Sequence, residues 1–521
     1  MLAVNGSFTF VVGNGGQPPY LYTADNGSVT SVGGVYTAVT SPGSAHVEVM
    51  DALGNKATAT VTVVPGLSIS PTSPRMSMSS TASFSASGGV APYSFSASSG
   101  VISAQGNYTA PMSSGTATII VTDALSNSSS TDVSIYRPGD LDATFGQAGK
   151  YLSSASDVNV IKDIIAQSDG KILVAGESWV VTPSVAFTPY LVRFNADGSS
   201  DSSFNSYVGS TYTENMHLLI DSSQRILLLS DVGSGSYYKM SVRRFLSNGT
   251  PDTSFNATGA QTISFGSMDD LAYSFTFDQD GKIVVVGRMD SGTVAIAVAR
   301  LTTSGFLDTT FNGTGKAVTY IGSGHSYAYD VKVQSDGKIL VVGGGKPAFS
   351  SPNNDLAVVR FNANGTLDST FGVGGKTTFS LGGEELATNL QLQNDGKLVL
   401  GVYQSDAINR MILVRMTAEG NMDASFGSGG KAIHTLYHTT SLINDLKILP
   451  DGKLLVAAAC DSSSCLARFS DAGALDPTFG TGGVVELSST VLNTLQVTSA
   501  GYLIGGYTGN PWKSMMARYL P

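Results

Sequence analysis

Cysteine, charge and histidine are all scarce in this chain, and each scarcity removes a class of explanation. Only two cysteines, Cys460 and Cys465, occur in 521 residues, both in AAACDSSSCLARF. With no second Cys or His pair nearby, their spacing does not make a metal site. Four small polar residues between two apolar runs predict a hairpin turn, which places the thiols on facing strands within disulfide reach and suits an oxidising compartment. Two free thiols in a loop is the alternative reading. Charged residues are 13% of the chain, about half the usual ~25%, yet hydrophobic residues reach 42%, so low charge does not mean disorder. The net charge of −10 argues against nucleic acid and anionic membrane surfaces as partners, since both demand clustered Lys and Arg. No uncharged apolar window of about 18 residues exists, so membrane insertion by a helix is not expected. MLAVNGSFTF has neither the basic start nor the apolar core of a signal peptide. The surface composition suits an exported, extracellular or cell-surface protein whose signal is not in this chain. No G-x-S-x-G elbow, H-E-x-x-H, C-x-x-C pair or phosphate-cradling Gly loop is present.

What is abundant is glycine, 60 residues, with many Ser and Thr. That is the profile of an all-β protein rich in turns, and the length allows about three or four domains. Residues 1–136 hold one pattern twice. GGQPPYLYTADNGSV (15–29) returns as GGVAPYSFSASSGVI (88–102), and VYTAVTSPGSAHVEVMDALGN (35–55) as NYTAPMSSGTATIIVTDALSN (107–127). Runs such as AHVEVMD and KATATVTV alternate apolar and polar residues, the period of half-buried strands in a sandwich. Domains are expected at 1–65 and 66–136. The second copy opens with GLSISPTSPRMSMSS (66–80), which the first lacks. The first domain is therefore expected to lack its opening strand, and further N-terminal domains of a longer protein are expected. The GG-x-x-P-Y and V-x-D-x-x-G-N strings of these copies resemble bacterial immunoglobulin-like surface modules, and the resemblance implies two immunoglobulin-like β-sandwiches acting as a stalk.

From residue 137 onward three markers recur. D-x-[TS]-F places Phe at 145, 204, 255, 311, 371, 426 and 479; Arg closes an apolar strand at 193, 244, 300, 360, 415, 468 and 518; and the turn DGK stands at 169, 280, 336, 395 and 451, replaced by SSQR near 222 and SAGY near 499. Seven copies of 50 to 60 residues, made of strands and turns, are the size of propeller blades. Each copy parses as four strands, in the fourth GKAVTYI, AYDVKVQ, ILVVGGG and DLAVVRFNANG. The fold expected for 137–521 is a seven-bladed β-propeller of four-stranded blades. The segment near Lys150 is expected to join the last blade and close the ring. Pro138 and Gly139 suggest a short hinge ahead of it. DGKILVAG, LVRFNADGS and LDATFGQAGK resemble the delta-60 repeat of large exported bacterial proteins, a family whose activity is largely undefined.

Residues repeated in every copy are expected to build the blade. Asp142, Asp201, Asp252, Asp308, Asp368, Asp423 and Asp476 are placed to take backbone hydrogen bonds or pair with the seven arginines, and Phe145 and its equivalents to wedge between blades. Calcium in loops such as NADGSSDSS (195–203) is the weaker reading because the D-x-D-x-D-G ligand ladder is missing. No cofactor is expected.

Function is expected where copies diverge. Antiparallel connectivity puts DGK and the D-x-[TS]-F loop on one face, and the two variable loops on the other. The variable face carries His217, His325, His434, His438, the acidic pairs Asp269/Asp270 and Glu384/Glu385, and Tyr212, Tyr327 and Tyr437, with Trp179, Phe187, Tyr190, Tyr237, Tyr238, Phe349 and Trp512. Aromatic rings with polar edges suit stacking on sugars or anchoring a protein. Asp269 or Glu384 would serve as general acid and base of a glycosidase or lyase only if carboxylates met near the central channel at ~5–9 Å. Without a catalytic motif, binding ranks above catalysis. The expected role is adhesion or recognition of a glycan or surface protein, with a structural spacer as the alternative.

Overall fold

The computed structural model describes residues 1–521 except 154–157, 182–184, 210–214, 267, 406–409, 436–440, 461–462 and 510–511. Strands dominate, and the one helical element among the described residues is a three-residue turn at Phe255–Ala257. Among the described residues no helix is long and apolar enough to cross a membrane. The chain divides into two compact units, Met1–Pro138 and Gly139–Pro521.

The first unit holds two halves with matching sheets. In the first half, Leu2–Ala3, Lys56–Val64, Gly43–Met50 and Leu21–Ala24 form a four-stranded sheet, and Ser7–Thr9, Val35–Thr37 and Ser28–Val29 a three-stranded one. In the second half, Arg75–Ser77, Ser128–Tyr136, Gly115–Thr122 and Ser94–Ala97 repeat the former, and Thr81–Ser83, Asn107–Thr109 and Val101–Ile102 the latter. Alternation decides which side is buried: Ala45 and Val47 enter the core while His46 between them stays outside. The aspartate of V-x-D-x-x-G-N organises the hairpin turn. Asp51 accepts the amides of Gln17, Leu53 and Asn55, and Asp123 accepts those of Val90, Leu125 and Asn127 in the same way.

The second unit contains, among the described residues, seven four-stranded antiparallel sheets. Their first strands are Val158–Ala166, Met216–Ile220, Asp270–Phe277, Ser326–Val333, Glu384–Leu392, Ser441–Ile448 and Thr490–Thr498. Each packs on the first strand of the next sheet, and the seventh packs on the first, so these strands ring an axis in a propeller arrangement. The sheets and the sequence copies are out of phase by one strand. GKAVTYI, expected to open the fourth sheet, instead supplies Lys316–Thr319, which pairs with Val294–Leu301 as the outer strand of the third. The same shift makes Lys150–Leu152 the outer strand of the seventh sheet, against Lys513–Tyr519. Loop faces are unchanged, because shifting by one strand leaves the antiparallel alternation of chain direction intact.

The repeated residues form a joint beneath each sheet-to-sheet interface. In the fourth sheet Arg360 donates from Nε to Asp368 Oδ2 at 2.8 Å and from Nη1 to the Ala418 carbonyl of the next sheet at 2.8 Å. Its guanidinium lies 4.5 Å from the centroid of Phe371, which is fully buried among side chains of both sheets. Lys338 of the DGK turn adds a second cation 3.1 Å from Asp368. The turn that receives Arg360 needs glycine: Gly420 has φ +89°, and a Cβ there would stand 2.5 Å from the Phe371 ring. All seven arginine–aspartate pairs form, ending with Arg518 on Asp142. The phenylalanine wedge and the paired aspartate are thus two parts of one contact.

These joints set an acid limit on stability. Burial works against the charged form of Asp308, Asp368 and Asp476, but bonds from the neighbouring Thr, Lys and Arg outweigh it and hold all three well below the usual carboxylate range. Hydrogen bonds from Ser203 and Ser425, joined by Lys and Arg, do the same for Asp201 and Asp423. A carboxylate with a depressed folded pKa stabilises above its unfolded value of 3.8 and loses that contribution as pH falls toward the folded value. Asp163 and Glu385, raised by burial, act in the opposite sense. The five lowered groups outnumber them, so the urea midpoint is expected to be level near neutrality and to drop steeply below about pH 4. A midpoint unchanged down to pH 2.5 would mean that these pairs contribute nothing.

Candidate functional site

The ring of first strands carries polar side chains at the point where each chain bulges. Register shifts interrupt six of the seven first strands, between Ile161 and Asp163, Ala272 and Ser274, Ala328 and Asp330, Ala387 and Asn389, Ile443 and Asp445, and Leu492 and Thr494. A bulge leaves backbone groups unpaired and re-aims a side chain. Here the re-aimed groups satisfy the neighbouring sheet. Asp330 accepts Ser274 Oγ of the third sheet at 2.7 Å and the Leu390 amide of the fifth at 2.8 Å. Asp163 likewise joins Thr494 Oγ1 and the Leu218 amide, and Asp445 takes the Leu495 amide, each at 2.8 Å. Asn389, Asn444 and Asn493 donate to carbonyls of the next sheet, and Asp231 takes the Ala272 amide at 2.8 Å. Every one of the seven sheet-to-sheet steps thereby has a polar bridge beside the axis.

Charge accumulates there too. Lys447 bonds Asp445 at 2.8 Å, and Lys332 lies 3.5 Å from Asp330. Burial opposes the Lys447 ammonium, but the carboxylates of Asp445, Asp163 and Asp330 outweigh it and hold the group above the ordinary lysine range. Among the described residues no group of three or more His, Cys, Asp and Glu side chains is arranged to hold a metal ion.

Toward the variable-loop end of these strands the lining becomes aromatic. Tyr329 stacks on Tyr327, with centroids 6.4 Å apart and planes at 23°, and meets Tyr273 edge-on at 5.0 Å. Burial, followed by the two neighbouring phenols and Glu384, pushes the Tyr329 hydroxyl up to about 12, against the pull of Arg288. Arg288 therefore lies within electrostatic reach of the tyrosines, and its Nε is buried with no hydrogen-bond partner. Glu384, on the same rim, accepts Asn354 Nδ2 at 2.7 Å. A stacked tyrosine group beside a guanidinium whose Nε is unpaired offers a flat apolar surface with polar groups at its edge.

The residues singled out from sequence do not form one site. Asp270 and Glu385 are fully buried: Asp270 pairs with Lys239 at 2.8 Å and takes the Phe265 amide at 2.9 Å, while Glu385 takes the Gly383 amide. Both brace the crossover into a first strand, so of the two acidic pairs expected on the variable face these two members are buried in structural bonds. Asp269 is occupied by the Tyr238 amide at 2.7 Å. His217 and His434 lie near the ends of strands; His434 bonds the Gly473 carbonyl at 2.9 Å, and His217 stands 3.9 Å from Asp163. His325 accepts the Val294 amide at 3.0 Å and meets the exposed Phe349 edge-on at 5.8 Å. Tyr190 bonds Ser514 across the seam between first and seventh sheets at 3.0 Å, beside a cavity of about 590 Å³ that Tyr151, Ser153 and Asn159 also line. Burial raises its phenol strongly. Trp512 packs on Tyr507 at 4.9 Å, and Tyr237 is exposed. The Trp179 backbone pairs with Phe187, while the side chains of both, with Tyr212, Tyr437 and His438, lie outside the described residues. Cys460 and Cys465 are bonded, with Cα atoms 6.0 Å apart. They are diagonal neighbours, since Cys460 faces Ser463 and Cys465 faces Ala458.

Sequence reasoning passed over Asp163, Tyr273, Arg288, Tyr329, Asp330 and Asp445. A signal existed: an acidic, amide or hydroxyl residue precedes an apolar one in DIIA, SFTF, DVKV, NLQL, DLKI and TLQV, at one position of six first strands.

Five stretches, residues 167–204, 279–311, 334–371, 393–426 and 449–479, match the family model described as "Domain of unknown function (DUF5122) beta-propeller". Each match ends on the phenylalanine of D-x-[TS]-F and spans a DGK turn. No curated protein matches the chain. Among solved structures, the crystal structure of a protein from Lactobacillus plantarum is similar over 72% of this chain and 96% of its own, with 12% identity and a TM-score of 0.35.

Proposed function

We propose that Gly139–Pro521 is a seven-bladed propeller serving as the recognition head of an exported bacterial surface protein, with the halves of Met1–Pro138 as immunoglobulin-like modules of its stalk. The ligand is a glycan, or a surface protein presenting similar chemistry, taken at the variable-loop end of the axis. The observation that carries this reading is the stacked Tyr327 and Tyr329, edged by Tyr273, near Arg288, whose buried Nε has no hydrogen-bond partner. Non-enzymatic binding is favoured over hydrolysis because the acidic pairs that would supply acid and base are engaged in structural bonds at Asp269, Asp270, Glu384 and Glu385.

The test is binding of the full chain to a panel of bacterial polysaccharides by calorimetry or array. Saturable binding is expected to weaken about 10-fold or more in Tyr327→Ala and in Arg288→Ala, the loss usual for a central aromatic or arginine anchor. Unfolding midpoints of both variants should stay near that of the parent. Failure to bind any glycan leaves a protein partner or a structural spacer as the better reading, and binding indifferent to both substitutions moves the site elsewhere.

A further inference from the structure

Arg288 differs from the arginines around it. The seven joint arginines each hold an aspartate, Arg225 bonds Asp221 at 2.7 Å, and Arg243 lies 5.7 Å from the centroid of Tyr207. Among the described residues Arg288 forms no ion pair and no side-chain hydrogen bond, and its Nε is buried. The acids of the same rim are committed elsewhere: Asp290 Oδ1 accepts the Gly292 amide at 2.9 Å, Asp269 the Tyr238 amide, and Glu384 the Asn354 side chain. A half-buried guanidinium without a counter-charge has lost part of its hydration and gained no partner in exchange.

Strand register places this guanidinium on the tyrosine rim. Val284 and Val286 of the same strand, Ile283–Asp290, pack with Ala328 and Val331 of the fourth sheet's first strand. Side chains alternate, so Arg288 continues that row toward the variable-loop end. Its rung is level with Tyr327: Arg288 pairs with Leu271 as Gly344, the equivalent residue of the fourth sheet, pairs with Tyr327. The equivalent rungs of four other sheets carry Glu177, Tyr403, Ala459 and Tyr507, so the copies diverge at this position and, among these rungs, only the third sheet places a cation there.

We propose that Arg288 is the carboxylate subsite of this rim and that the glycan it takes is acidic, a polysaccharide carrying uronate residues. The inference rests on the reading of the tyrosine rim as a glycan site. A sugar ring lies against Tyr327 and Tyr329, and its carboxylate meets the guanidinium end-on, at the Nη nitrogens, because Nε is buried in the protein. Glu384 acts on the same tyrosines and repels a second negative charge, so a planar monoanion suits this single arginine better than a phosphate dianion. The net charge of −10 gives a polyanion no general attraction to the chain, so a preference for an acid over its neutral form has to come from a local contact.

The experiment measures binding of the full chain to galacturonan, mannuronan and a glucuronate-containing polysaccharide, each beside its methyl ester, which keeps the ring and its hydroxyls but removes the charge. At least one acid is expected to bind about 10-fold or more tightly than its own ester. In Arg288→Gln that preference should fall to near unity, with Arg288→Lys in between because lysine keeps the charge but not the planar fork. The ester comparison needs no variant, so it stands even where a substitution disturbs folding. Equal binding of acid and ester overturns the proposal while leaving a glycan site in place. A preference that survives Arg288→Gln overturns it too, since the carboxylate contact then lies elsewhere, and a sulfated galactan that binds more tightly than every uronate replaces the carboxylate with a sulfate ester. Absence of binding to every acidic and neutral glycan removes the reading of the rim itself and the subsite with it.

Discussion

Asp368→Ala is expected to destabilise the Gly139–Pro521 unit by about 3–5 kcal/mol, the cost of leaving one buried charge without its partner. Arg360, 8% exposed, would keep its bond to the Ala418 carbonyl and its place over Phe371, but lose the carboxylate that balances it. The double variant Arg360→Leu with Asp368→Leu is expected to be markedly more stable than Asp368→Ala alone, since replacing both buried partners by apolar groups is often close to neutral. Urea titrations of the parent, both single variants and the double variant form the cycle that measures the coupling. Strictly additive losses would mean the two side chains act independently, against the geometry of a 2.8 Å bond between them. Because the same joint recurs at all seven steps, the experiment also reads what holds neighbouring sheets in place.

That joint was legible in the sequence because its parts keep fixed spacing: Arg360, Asp368, Thr370 and Phe371 return in every copy as Arg, Asp, Ser or Thr, and Phe. Counting them gave the number of sheets, and their presence in all copies marked them as architecture. The pairing phase was not legible, since a run such as GKAVTYI alternates equally well whichever neighbour it joins. Burial of Asp270 and Glu385 was hidden for a related reason. An acid in a variable segment looks exposed until the crossover it braces is known, and only Lys239 and the Phe265 amide explain why Asp270 is buried. The axial residues were missed because a bulge shifts the side-chain alternation by one residue, so Asp330 and Asp445 looked like the outward positions of ordinary strands. Tyr273 and Tyr329 stand next to those bulges, and the aromatic rim becomes visible only once the bulges are placed. Polar residues at one recurring position of strands that ring an axis are therefore a signal in their own right.

Two truncations fifteen residues apart are expected to have opposite outcomes. Removing residues 1–138 should leave the unfolding midpoint of Gly139–Pro521 unchanged, because that unit has its own cores and its own closed set of sheets. Removing residues 1–153 should abolish cooperative folding. The lost segment supplies Lys150–Leu152 to the seventh sheet, Asp142 to Arg518, and the fully buried Phe145. It also exchanges backbone bonds with the far end of the chain, from the Gly139 amide to the Leu520 carbonyl and from the Leu520 amide to the Asp140 carbonyl, each at 2.8 Å. Deleting a buried phenylalanine side chain costs about 3–5 kcal/mol, and the lost outer strand, the lost bond between Asp142 and the half-buried Arg518 and the lost backbone bonds add to it, so the sum rivals the roughly 5–15 kcal/mol that stabilises a whole domain. Lys513–Tyr519 would become an open edge, and concentration-dependent association by light scattering should accompany the loss. A monomeric, cooperatively unfolding product of the longer deletion would mean that closure does not depend on the segment before residue 154. The first and seventh sheets would then have to hold together through the contacts that remain, Asn493 on the Ile161 carbonyl, Thr494 on Asp163, Tyr190 on Ser514 and the packing of Ile161 and Ile164 against Leu503 and Met516.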